Sequence, residues 1–156
     1  MPVITNIEDL RVLAEKRVPR MFYDYADSGS WTEGTYRANE ADFQKIKLRQ
    51  RVAVNMENRT TATKMVGLDV KMPVAIAPVG LTGMQSADGE IKAARAAEKF
   101  GIPFILSTMS ICSMEDVAAA TTAPFMYQLY MMRDREAMSN MIERARKAKC
   151  SALVLT

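Results

Sequence analysis

Met72-Pro-Val-Ala-Ile-Ala-Pro-Val-Gly-Leu-Thr-Gly-Met84 is the stretch that decides how this chain is read. Val74 to Ala77 is a short apolar run, closed by Pro78 and followed by Gly80 and Gly83. A run that is apolar on both faces predicts a buried parallel strand, because such sheets are covered on both sides. Pro78 has no N–H to give to a ladder, so the strand is expected to stop there. Gly80 and Gly83 permit close backbone approaches that a Cβ would block. A strand ending in a small-residue loop is a natural place to lay a flat ligand.

From here to Thr156 the sequence repeats strand and then helix. Gly89 to Phe100 reads as an alanine-rich helix with Ile91, Ala94, Ala97 and Phe100 turned inward and Gly101 as its stop. Pro103 to Ser107 is a second strand. Ser113 caps a short helix over Met114–Ala120, with Glu115 and Asp116 in its first turn. Pro124 to Tyr130 is a third strand. Asp134 to Lys149 is the longest helix, and its Ala137, Met138, Met141, Ile142, Ala145 and Ala148 follow a 3.6-residue period. Ser151 to Leu155 is the fourth strand. This alternation predicts a parallel α/β fold, wound by right-handed crossovers into an open sheet or part of a barrel.

Two common phosphate-binding readings fail: no G-x-G-x-x-G follows the first strand, and there is no G-x-x-x-x-G-K. Small and polar residues sit instead where strands finish: Gly80, then Ser107 and Thr108, then Gln128 and Tyr130, then Thr156. That is the arrangement of a (β/α)8 barrel, whose sites lie at the C-terminal ends of its strands. Such barrels need about 250 residues, so four strands make half of one. Residues 72–156 are therefore expected to form a single, incomplete half-barrel domain of four parallel strands.

Upstream, residues 1–71 form a helical preface with lead-in strands. Thr5-Asn6-Ile7-Glu8-Asp9 supplies a cap candidate followed by acids. Pro19 suits the first turn of a second helix, which ends near Gly29. Trp31 to Lys45 reads as a third helix. Leu48 to Val54 and Leu68 to Lys71 are strand candidates.

Composition sets the class. The 156 residues are 49% hydrophobic and 25% charged, the mix of a soluble globular domain. A net charge of +3 gives no argument for nucleic acid. Cys112 and Cys150 are far apart, which argues against a disulfide framework or a zinc site and favours a reducing, cytoplasmic setting. The N-terminus lacks a basic-then-apolar signal pattern, and the uncharged stretch from Val117 to Met132 is too short and too polar to span a bilayer. The 13 methionines read as core filler, and there is no histidine.

Phe22-Tyr-Asp-Tyr-Ala-Asp-Ser-Gly29, Met72-Pro73 with Ala77-Pro-Val-Gly80, Leu106-Ser-Thr-Met-Ser110, Tyr127-Gln-Leu-Tyr130 with Arg133-Asp-Arg135, and Ala152-Leu-Val-Leu-Thr156 together resemble the FMN-dependent α-hydroxy-acid oxidases and dehydrogenases. These motifs run in order over nearly the whole chain. Arg49-Gln-Arg51, Ala77-Pro-Val-Gly-Leu81 and Gly101-Ile-Pro-Phe104 are most similar to the bacterial L-lactate dehydrogenases that pass electrons to a quinone. The resemblance implies FMN as cofactor and oxidation of an L-2-hydroxy acid, L-lactate to pyruvate first among them. It also implies a quinone as acceptor, while the two unpaired edges of a half-barrel predict a homo-oligomer or a complementary half-chain as partner. The place it implies is the cytoplasm or the inner face of the cell membrane. Gly80 leans toward a dehydrogenase, because the family's oxidases commonly carry Ala there.

The resemblance also assigns roles. Pro78, Val79 and Gly80 pass beside the flavin's reactive centre, Ser107 contacts its polar edge, Gln128 pairs with its pyrimidine, and Thr156 adds a further contact. Tyr25 hydrogen-bonds the substrate carboxylate, and Tyr130 lies near the reacting oxygen. Independently of the resemblance, a buried carboxamide such as Gln128 needs partners for both its donor and its acceptor. Gly80 read alone is a turn glycine, and the tyrosines read alone are half-buried packing. One departure stands out. The family's base is a histidine, and this chain has none. Its supporting aspartate, the arginines that clamp the carboxylate and a lysine near the flavin also belong to the family's second half. The chain alone is therefore expected to be inactive. The alternative is a non-catalytic half-barrel that serves as a scaffold or assembly partner.

Overall fold

The computed structural model describes residues 3–156. The chain divides into two compact units, one ending at Arg59 and the other running from Thr60 to Thr156.

The first unit is helical. α1 spans Ile7–Arg17, α2 Arg20–Asp27 and α3 Gly34–Ala41, with a 3-10 turn over Asp42–Lys45. Asn6 and Asp9 form a reciprocal capping box at the start of α1, as the sequence suggested. Pro19 occupies the N-cap of α2 rather than its first turn. The helix expected from Trp31 begins only at Gly34, because Trp31 and Glu33 take positive φ and interrupt the helical path. Asp27 joins this unit together. It accepts from Arg11 at 2.8 and 3.0 Å, from the Tyr23 hydroxyl at 2.8 Å and from the Tyr36 hydroxyl at 3.4 Å. The strand expected over Leu48–Val54 is absent, and Leu48 is 97% exposed. A lone extended segment with no partner leaves its ladder groups to water, and propensity alone does not hold it.

The second unit opens with a hairpin, β1 (Thr63–Met65) against β2 (Leu68–Val70), turned by Val66 and Gly67. β2 was anticipated, whereas β1 was not. The short helices α4 (Thr82–Gln85) and α6 (Met114–Ala120) and the longer α5 (Gly89–Phe100) and α7 (Arg135–Lys147) alternate with β3 (Ile105–Leu106), β4 (Met126–Leu129) and β5 (Leu153–Leu155). β3, β4 and β5 form a parallel sheet in chain order, so the α/β class holds.

The strand expected at Val74–Ala77 is reduced to one parallel bridge, Ile76 to Phe104. Ile76 donates to the Pro103 carbonyl at 2.9 Å, and Ile105 returns the bond to Ile76 at 3.1 Å. Val74 is 46% and Ile76 37% exposed, so this run is not covered on both faces. It lies at the margin of the sheet, whereas β4, flanked on both sides, is buried at every position. Double coverage is thus a property of the central strand.

Side-chain alternation divides β4 between two faces. Phe125, Tyr127 and Leu129 join Phe104, Leu106, Ala94, Ala97, Met114, Val117 and Ala145 in the core beneath the helices. Met126 and Gln128 point to the opposite face, and both are buried. Gly101, in the left-handed region at φ 82, ends α5 as expected. Phe100, expected inward, is 58% exposed.

Candidate functional site

The parallel register brings three strand ends level: Leu106 lies beside Tyr127, and Gln128 beside Val154. Ser107, Gln128 and Thr156 therefore meet at one end of the sheet. Gln128 is only 2% exposed and acts as the hub. Its Oε1 accepts from the Thr108 N–H at 3.0 Å and from the Ser107 hydroxyl at 3.4 Å. Its Nε2 donates to Thr156 Oγ1 at 2.8 Å. The Thr108 hydroxyl donates to the Gln128 carbonyl and accepts from the Tyr130 N–H at 3.4 Å. Met109 N–H donates to Ser107 Oγ at 3.1 Å.

A carboxamide offers two donors and two acceptor pairs. Both acceptor positions of Gln128 are used within the cluster, while one Nε2 hydrogen and the Thr156 hydroxyl hydrogen have no acceptor among the described residues. The strand ends thus retain hydrogen-bond donors, one on the buried Gln128 and one on the exposed Thr156. Such a set matches a ligand edge that carries carbonyl oxygens.

The Pro78–Gly80 segment lies next to this cluster. Leu81, in the left-handed region at φ 58, donates its N–H to the Met109 carbonyl at 2.8 Å. Thr82 Oγ1 donates to the Val79 carbonyl at 3.1 Å. Pro78 and Gly80 are half-buried, and Val79 is exposed. Tyr130 leaves β4 with its ring 45% exposed. Tyr25 belongs to α2 of the first unit and is 54% exposed. Pro78, Val79, Gly80, Ser107, Gln128, Thr156 and Tyr130 thus share one end of the second unit, whereas Tyr25 stands on the other unit. Among the described residues no three potential metal ligands converge, and no helix is long and apolar enough to cross a membrane.

Two contributors carry no assigned role in the reading of the sequence. Thr108 locks Gln128 from both its backbone and its hydroxyl. Glu90, 2% exposed at the start of α5, accepts at one oxygen from Gly83 N–H at 3.1 Å and from Ile111 N–H at 3.0 Å. Burial pushes the Glu90 carboxyl up. The Ile111 N–H, the Cys112 thiol and further backbone N–H groups outweigh that, leaving it below its ordinary range and ionised. Burial first, and then the adjoining carboxylate, push the Cys112 thiol up. The signal for Glu90 was its spacing: Glu90, Ala94 and Ala97 fall at i, i+4 and i+7, one face of a helix.

Comparison with known proteins agrees with this geometry. The family model described as FMN-dependent dehydrogenase matches residues 14–156. An L-lactate dehydrogenase of Ectopseudomonas mendocina (strain ymp) is 47% identical over 154 residues, covering 99% of this chain and 41% of the relative. The chain therefore spans about two-fifths of the length of the curated relatives it matches. A soluble mutant of the membrane-associated (S)-mandelate dehydrogenase from Pseudomonas putida superposes with a TM-score of 0.92 at 37% identity, covering 98% of this chain and 44% of that one. The structure of a monotopic membrane protein, (S)-mandelate dehydrogenase, gives a TM-score of 0.93 at 36% identity over 99% of this chain and 41% of that one. A family match over nearly the whole chain, on a parallel sheet with its polar residues gathered at the strand ends, places this protein among the FMN-dependent dehydrogenases.

Proposed function

We propose that this chain is the N-terminal part of an enzyme that oxidises an L-2-hydroxy acid, L-lactate first, with FMN bound at the strand ends described above. The carrying observation is the Ser107–Gln128–Thr156 network, centred on the buried Gln128 and keeping unspent donors, in a chain 47% identical to an L-lactate dehydrogenase. Gln128 Nε2 and the Thr156 hydroxyl suit the carbonyl oxygens of the flavin pyrimidine. Ser107, held by Gln128 and Met109, adds a further polar contact. Pro78, Val79 and Gly80 supply the backbone that lies along the ring. When bound, FMN supplies a two-electron acceptor for the hydrogen on the substrate's α-carbon.

The fold reading extends in the same way. The Ile76–Phe104 bridge followed by β3, β4 and β5 is read as the first four strands of a (β/α)8 barrel, with residues 72–156 as its first half and residues 1–71 as the preface. Parallel order and intervening helices support this.

Tyr25 would donate to the substrate carboxylate, and Tyr130 would hydrogen-bond the hydroxyl oxygen. A phenol is a fixed donor on an apolar ring and suits both tasks. Oxidation also requires a base for the hydroxyl proton. Neither tyrosine is paired with a group that would make it such a base, and the sequence has no histidine. The base and the carboxylate clamp are therefore assigned to residues outside these 156, and this chain alone is inactive. A quinone acceptor and a peripheral place at the membrane fit a relationship to a membrane-associated dehydrogenase. A scaffold without catalysis is the competing reading, and the exposed margins of the sheet favour it enough to test.

Anaerobic mixing with FMN and L-lactate separates the two readings. The chain alone should leave the flavin oxidised. Adding the part of the E. mendocina relative that lies beyond the matched region should produce bleaching, and Tyr25→Phe should slow it by raising KM. Absence of bleaching in the complemented mixture, where the two parts demonstrably associate, would favour the scaffold.

A further inference from the structure

Glu90 is a buried carboxylate that the proposed chemistry does not use. One of its oxygens takes two backbone N–H groups from two different segments: Gly83, in the first turn of α4 just beyond the Pro78–Gly80 loop, and Ile111, in the loop just beyond Ser107 and Thr108. The other oxygen is buried and takes no N–H or O–H donor among the described residues, the weak Cys112 thiol being the one further donor beside the carboxylate. Glycine at 83 makes the junction possible. A Cβ there would stand 2.7 Å from Ile111 Cβ and 3.2 Å from the free Glu90 oxygen. Gly89 is equally constrained, since its Cβ would meet the Thr82 carbonyl oxygen at 2.6 Å. α4, the start of α5 and the loop after β3 thus meet where Gly83 and Gly89 leave no room for a Cβ, and the Glu90 carboxylate ties them.

We propose that Glu90 is a positioning residue for the flavin: it fixes the spacing between the loop after residue 77 and the loop after β3, the two loops that carry the proposed ring contacts. This rests on the flavin reading of the strand ends given above. A bond to an ionised acceptor is stronger than a neutral one, and two such bonds at one oxygen resist sliding of either loop. The Leu81–Met109 bond alone, at 2.8 Å, joins the loops at one point only and leaves a hinge. Glu98 provides a natural control. At the far end of the same helix its Oε1 accepts from Thr122 N–H at 3.0 Å and Ala123 N–H at 2.9 Å, a similar clamp on a loop away from the site.

The test uses the 156-residue chain with FMN as the probe, comparing the parent with Glu90→Ala, Glu90→Gln, Gly83→Ala and Glu98→Ala. Two readouts are taken: amide exchange at Gly83 and Ile111, and FMN affinity with the shape of the visible flavin band. Gln keeps an oxygen for both N–H groups but loses the charge, so Glu90→Gln should fall between the parent and Glu90→Ala in both readouts. Glu90→Ala should speed exchange at both amides, weaken FMN by about tenfold, the equivalent of roughly one charge-assisted bond, and blur the flavin band. Gly83→Ala, which wedges the same junction, should weaken FMN in the same way. Glu98→Ala should leave FMN affinity and spectrum unchanged. Unchanged exchange in Glu90→Ala overturns the clamp. Faster exchange with unaltered FMN binding, or equal weakening by Glu98→Ala, overturns the positioning role while leaving the flavin reading intact. A parent chain that perturbs FMN at no concentration overturns the flavin reading, and the positioning role falls with it.

Discussion

At the scale of single residues, spacing and backbone geometry decide more than residue type. Phe100 was placed inward with Ile91, Ala94 and Ala97, yet it is 58% exposed. Steps of three residues precess by about 60° on an α-helix, so the last of these four lies opposite the first. The true inward face is Glu90, Ala94 and Ala97; an acid in the first turn of a helix already has a reason to be there, which hides the burial of Glu90 from a reading of sequence alone. Gln128, by contrast, was legible as a buried amide needing partners, although only the register of three strands shows that Thr108 is one of them. Val66 was not legible at all. It sits at φ 48 before Gly67 at φ 80, in a two-residue hairpin turn that needs positive φ at both positions. A β-branched residue resists that conformation, whereas asparagine accepts it. Val66 is 68% exposed, so replacing it gives up little burial. Val66→Asn should stabilise the chain by about 1 kcal/mol, read as a higher urea midpoint with an unchanged slope. A lower midpoint would show that the turn is not strained.

At the scale of elements, the caps were readable because they are local. Asn6 and Ser113 each accept the expected backbone N–H, and Asp134, read as the first residue of its helix, is the residue that caps it. Strand partners were not readable, because β1 and the lost strand at Leu48–Val54 differ in having or lacking a neighbour rather than in composition. Helix-to-helix pairing was equally hidden. Arg144 of α7 holds Glu115 of α6 through two bonds, at 2.8 and 2.7 Å. The Arg144 guanidinium holds the Glu115 carboxyl well below its ordinary 4.5, at about 2. A carboxyl depressed by folding contributes stability that is present above its unfolded value. That contribution fades as pH falls from about 4.5 toward about 2. Both side chains are about half exposed, so water and salt screen the pair. Glu115→Gln should cost no more than ~1 kcal/mol at pH 7 and should flatten the stability profile between those two pH values. A variant whose acid limb matches the parent's would show that the pair does not form in solution.

At the scale of the molecule, the second unit presents a sheet whose margins are open. β5 pairs only with β4 among the described residues, and its Leu153 and Leu155 are 45% and 65% exposed. On the other margin Val74 and Ile76 are 46% and 37% exposed around a single bridge. Both margins combine unpaired backbone groups with apolar side chains; the Val74–Ile76 margin is bounded by Pro73 and Pro78, whereas β5 carries no charge, proline or bulge of the kind natural edges use to prevent pairing. The exposed side chains are also too many to count as scattered surface residues. The chain by itself should therefore self-associate, through strand pairing at β5, in a concentration-dependent manner. Leu155→Lys places a charge on that edge, at a position already turned to solvent, and should shift the population toward monomer with little effect on the melting of the core. Light scattering coupled to size exclusion over a hundredfold range of concentration reads both effects. A sharp monomer at every concentration for the parent would mean that the edge is protected in solution. Association that persists undiminished in Leu155→Lys would move the contact to the Val74–Ile76 margin, where Ile76→Lys is the corresponding probe.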